Sequence, residues 1–131
     1  MFQERLSALQ LATYKIGETV LASGSRTGRL LILKKGAVTI IKETINIAKV
    51  TEPGAVLGEL SALLDQPHTA DVHATETSQF YVADAALLAQ DPIVLLYVAG
   101  VLARRLDGAN KALIELKGQH LLACCDAATS P

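Results

Sequence analysis

The sequence predicts a mainly β fold with flanking helices, a β-roll of the double-stranded β-helix or jelly-roll kind. Two observations carry this. Short aliphatic and β-branched runs follow one another through the first two thirds of the chain, separated by turns that contain glycine. Beyond Ala83 the composition changes, and apolar residues recur at helical instead of alternating spacing. Half of the 131 residues are hydrophobic, enough to fill one core. The expected organisation is a single domain over residues 1–120, with a frayed tail over 121–131.

In chain order, Leu6, Leu9 and Leu11 predict a short helix over residues 3–12. Tyr14 to Leu21 alternates and reads as strand with a turn at Gly17-Glu18. Ser23 to Gly28 is a loop, and Leu30-Leu31-Ile32-Leu33 a short buried strand. Lys34-Lys35-Gly36 turns the chain into a strand over Ala37–Lys42, and Ile45, Ile47 and Lys49-Val50 mark the next. Pro53-Gly54 is a further turn, and a single helical turn is expected from Gly58. Ala70–Ala74 and Gln79–Ala83 supply the last strands. Asp84 can cap a short helix through Gln90. Asp91-Pro92 then pairs an N-cap residue with proline at the first helical position. The helix that follows carries a heptad seam of Leu95, Ala99, Leu102, Leu106, Ala109, Leu113 and Leu116. Gly100 and Gly108 weaken it by roughly 1 kcal/mol each relative to alanine. The seam either packs on the roll of its own chain or pairs with a second copy in a homodimer.

Twelve basic and thirteen acidic side chains leave a formal charge of −1, without the clustered positive charge that a nucleic-acid surface needs. The longest apolar stretch, Ile93 to Ala103, is too short to span a bilayer, and Met1 to Arg5 does not read as a signal peptide. A cytoplasmic address with no membrane partner is the expectation. His68, His73 and His120 are too scattered for a zinc set, Cys124-Cys125 too close to pair without strain, and Ser61 lacks a nearby base. No catalytic residue, metal or cofactor is therefore expected, and the chain is read as a non-enzyme.

The stretch from Val56 to Ala70 carries the functional signal. Glycine at a turn-to-helix junction lets backbone N–H groups approach an anion, and Glu59 follows at once with a carboxylate. The pair suits a phosphorylated sugar. With Tyr14–Val20, the strand–turn–strand run Leu30–Val38, and the helix from Asp91-Pro92 through Arg104-Arg105-Leu106, Pro53–Ser61 resembles the cyclic nucleotide-binding domain of the catabolite-activator and protein-kinase regulatory-subunit type. The likeness covers roughly Leu11 to Leu116. It implies that Gly58 and Leu60 offer backbone groups, that Glu59 accepts from a ribose hydroxyl, and that Ser61 lies within reach of the ribose phosphate. It further implies that Thr69 and Ala70 donate to the cyclic phosphate, that Arg105 approaches Glu59, and that Asn110 meets the adenine edge. The implied ligand is cAMP or cGMP, and binding would draw the C-terminal helices inward. The output would lie in an effector protein or in an effector domain that this sequence does not include.

The likeness fails at two places. Where relatives place an arginine on the cyclic phosphate, this chain has His68. Arginine is an always-charged planar fork, whereas histidine has an ordinary pKa of about 6.5. A charge-assisted hydrogen bond is worth about 1.5–3 kcal/mol. The loop Ser25–Arg29 also lacks the acid that would steady such an arginine. Two readings follow: a sensor in which His68 and a cation from Arg26 or Arg29 hold the phosphate, or a fold that no longer binds nucleotide and serves as an interaction or dimerisation module.

Overall fold

The computed structural model describes residues 2–125. Helix α1 (Phe2–Ser7) leads into eight strands: β1 (Gln10–Tyr14), β2 (Thr19–Leu21), β3 (Arg29–Lys35), β4 (Val38–Lys42), β5 (Ile45–Val50), β6 (Val56–Leu57), β7 (Asp71–Ala74) and β8 (Ser78–Asp84). Helix α2 (Glu59–Leu64) lies between β6 and β7; α3 (Ala85–Gln90) and α4 (Pro92–Cys125) follow β8. The strands form two antiparallel four-stranded sheets, ordered β1-β8-β3-β6 and β2-β7-β4-β5. This is the expected roll with short helices and a C-terminal helix.

The core lies between the sheets. Leu31 and Leu33 of β3 meet Val20, Leu21, Val38, Leu57, Val72 and Phe80 there. Successive strand residues face opposite ways, so Leu30 and Ile32 point to the other side of the sheet. Both are fully buried as well. That is why β3 reads as a continuous apolar run instead of an alternating one. Leu6, Ile32, Tyr81 and Tyr97 line a cleft of about 440 Å³ on that outer face, and the Tyr97 hydroxyl donates to the Gly54 carbonyl at 2.7 Å. The β3–β4 turn needs its glycine: Gly36 has φ 116°, and a Cβ there would lie 2.6 Å from Ser78 Cα.

Local signals set the helix ends. The Asp84 carboxylate accepts from the Leu87 N–H at 2.8 Å, and Asp91 accepts from Ile93 and Val94 at 3.2 and 3.3 Å. The N-terminal expectation needs correction. Helix α1 ends at Ser7, and residues 10–12 belong to β1, paired with β8 from Gln10↔Val82 to Tyr14↔Ser78. Leu9 and Leu11 fit either period, and the long-range pairing prevails.

The chain forms two compact units, Met1–Val98 and Ala99–Pro131. In the first, α4 buries Val94 and Val98, one turn apart, while Leu95 of the seam is exposed. In the second, α4 continues to Cys125, beyond the point where fraying was expected; residues 126–131 lie outside the described residues. Within this unit the seam residues Leu106, Leu113 and Leu116 are 63%, 55% and 62% exposed. Among the described residues no helix is long and apolar enough to cross a membrane.

Candidate functional site

The site is built around the short helix α2. Gly58 is its N-cap, in the left-handed region at φ 78° and ψ 20°, with no side-chain cap. Asp65 closes the other end, also left-handed at φ 53°, and its N–H reaches back to the carbonyls of Leu60 and Ser61. One helical turn is thereby held between two sharp bends, as the sequence predicts.

The side of Gly58 on which a Cβ would stand is taken up by the protein itself. A Cβ on Gly58 would stand 3.1 Å from the Arg29 carbonyl oxygen, 3.1 Å from His68 Cε1 and 3.2 Å from Leu21 Cδ1. His68 is only 5% exposed, and its Nε2 lies 2.9 Å from the Thr27 hydroxyl. Its backbone N–H donates to Ser25 O at 2.9 Å, and its carbonyl accepts from Gly24 N at 2.8 Å. Ser61 is 2% exposed, and its hydroxyl oxygen accepts from the Gly28 N–H at 2.8 Å. The Asp71 carboxylate accepts from Ser23 N at 2.7 Å. Buried polar groups are costly unless bonded, and here the 23–28 loop supplies the partners.

Burial pushes the His68 pKa below its ordinary 6.5, against the weaker opposing pull of Glu59. Burial therefore disfavours the charged ring, and His68 stands at the bend as a hydrogen-bonding group. Neither arginine of the preceding loop is buried in its place: Arg26 is exposed, and Arg29 lines a separate cleft with Asp84, Leu87 and Gln90.

The other expected site residues divide by place. Glu59 and Leu60 are half-buried at the start of α2, Thr69 is exposed, and Ala70 is half-buried just before β7. The structure thus brings Gly58, Ser61 and His68 together with one loop. Arg105 and Asn110 belong to the second unit, on an exposed part of α4. Thr27, Gly28 and Leu21 were missed by sequence reasoning. No local pattern marks them, since each meets the cassette only through the fold.

The profile of the cyclic nucleotide-binding domain matches residues 11–90, more than half the chain. The chain belongs to the cyclic nucleotide-binding domain family. Solved structures agree with the assignment. The catabolite activator protein of Thermus thermophilus aligns with TM-score 0.70 and 26% identity, covering 88% of this chain and 58% of that one. A cyclic nucleotide-binding domain from Methylobacillus flagellatus gives TM-score 0.70 and 26% identity, over 83% of this chain and 68% of that one. The regulatory subunit of a cAMP-independent protein kinase A from Trypanosoma cruzi, bound to guanosine, gives TM-score 0.58 and 32% identity. That match covers 63% of this chain and 29% of the subunit. No curated protein matches. The matched span includes Gly58, Glu59 and His68.

Proposed function

We propose that this domain is a non-catalytic, cytoplasmic regulatory module that works by association, with a cassette that does not accept a cyclic phosphate at neutral pH. The observation that carries the reading is His68, buried against Gly58 and bonded to Thr27. A cyclic phosphate entering there would have to displace the ring and break the Thr27 bond. It would gain no guanidinium in exchange, forfeiting the 1.5–3 kcal/mol of a charge-assisted bond. Association is supported by the exposed leucine seam of α4, with Leu106, Leu113 and Leu116 at heptad spacing. The partner proposed is a second copy of the chain, side by side through Leu95–Leu116, and the output passes to an effector protein or domain.

A second reading, the cyclic-nucleotide sensor, is favoured by Glu59 at the first position of α2 beside a left-handed Gly58. In that reading cAMP or cGMP expels His68, with Arg105 and Asn110 closing from α4. Calorimetry at pH 7.5 separates the two. The association reading expects no heat with cAMP or cGMP at millimolar concentration, and a dimer by sedimentation equilibrium in the same buffer. Saturable heat with either nucleotide would establish the sensor. Guanosine is the third titrant, because the trypanosome subunit is bound to it; heat with guanosine alone would mean that the ribose end still works without the phosphate seat.

A further inference from the structure

We infer that the loop Ser23–Gly28 is a latch that stands in the cassette where a ligand would, and that acid releases it through His68. The inference rests on reading the cassette as closed, and concerns how that closure is regulated. Four bonds join the loop to the cassette: Gly24 N–H to His68 O, His68 N–H to Ser25 O, the Thr27 hydroxyl with His68 Nε2, and Gly28 N–H to Ser61 Oγ. Three of the four involve His68, two through its backbone and one through its ring, and the ring's bond is the one that a proton can alter.

The ring occupies an apolar and neutral setting. Leu21 of β2 and the Gly58 backbone lie against the same bend, and Thr27 offers an uncharged hydroxyl. From α2 the charged group that acts on the ring is Glu59, and its attraction is outweighed by burial. The loop's own charges, Arg26 and Arg29, are exposed cations that would oppose a second positive charge nearby. Asp71, at the start of β7, is engaged with the Ser23 N–H at the far end of the loop. A proton on His68 is therefore better accommodated in water than in the bend. As pH falls, the population with the ring turned out must grow, because that state binds the proton more tightly. Turning the ring out breaks its bond to Thr27, next to Gly28, and exposes the Gly58 bend, without unfolding of the roll.

Amide hydrogen exchange on the ligand-free protein tests this, followed by NMR from pH 7.5 to 5.0 and corrected for the intrinsic rate. The Gly28 amide reports the latch and the Phe80 amide reports the core. The expected result is a severalfold rise in Gly28 opening as His68 titrates, with Phe80 unchanged. His68→Gln, which keeps a hydrogen-bonding side chain but cannot titrate, should abolish the pH dependence. Thr27→Val should raise Gly28 opening already at pH 7.5. An opening independent of pH, or one shared equally by Phe80, would overturn the inference. So would an unaltered dependence in His68→Gln. Should that variant not fold, the wild-type His68 titration compared with Gly28 opening decides alone. Nucleotide calorimetry at pH 7.5 reports on the closed cassette independently, so failure of one reading is distinguishable from failure of the other.

Discussion

At the cassette, Gly58, Ser61 and His68 meet residues of their own chain at van der Waals or hydrogen-bonding distance. Along α4 in the second unit, Leu106, Leu113 and Leu116 remain more than half exposed. The contrast runs against residue type. A serine and a histidine, ordinarily surface residues, are buried, while leucines, ordinarily core residues, face solvent. Burial of the polar pair makes sense if the loop has taken the place of a ligand. Exposure of the apolar set makes sense if the helix is covered by another molecule, since contiguous exposed apolar surface marks association sites.

The largest effect is expected on the helix. Leu106→Glu combined with Leu113→Glu places charges on the seam, and should lower dimer affinity by at least roughly a hundredfold if both leucines are buried on association. Sedimentation equilibrium measures this, and the melting temperature of the dilute monomer should not move. An unchanged association constant would take the seam out of the interface.

At the cassette, Gly58→Ala should cost about 2 kcal/mol, because alanine at φ 78° is strained and its Cβ would press on the Arg29 carbonyl and His68. Urea denaturation measures it; a neutral result would show that the bend has slack and is not filled. Ser61→Ala should cost about 1–3 kcal/mol, by leaving the Gly28 N–H without its acceptor. The same denaturation series checks this, and a cost near zero would mean that the loop is not held through Ser61.

Some of this was readable before any coordinates. Gly36, Asp84, Asp91-Pro92 and Gly58 act within a few residues of themselves, and each marked the bend or cap at which it stands. Leu9 and Leu11 misled, since the pattern of three leucines fits a helix and the strand partner lies some seventy residues away, at Tyr81 and its neighbours. The seam was legible as a period, but a period does not say which face is covered; Val94 and Val98 turned out to be the buried pair. His68 stood out in the sequence as a candidate, yet its burial against Thr27 links positions 41 residues apart. No local rule reaches that far.

The smallest effect concerns pH. Burial lowers the folded pKa of His68, so the unfolded chain binds the proton more readily. Its contribution to stability is complete above the unfolded value of about 6.5 and declines as pH falls from there through the folded value. The difference in urea midpoint between wild type and His68→Gln should therefore narrow between pH 7.5 and pH 5.0. A gap that widens towards acid would mean that His68 is stabilised as a cation.

The most direct test of the closed cassette is the NMR spectrum of the wild-type protein at pH 7.5 as cAMP or cGMP is added to millimolar concentration. The account predicts that the His68 ring and the Gly58 amide keep their chemical shifts throughout. Saturable movement of both signals together would contradict it, and would show a nucleotide displacing the histidine from the glycine bend.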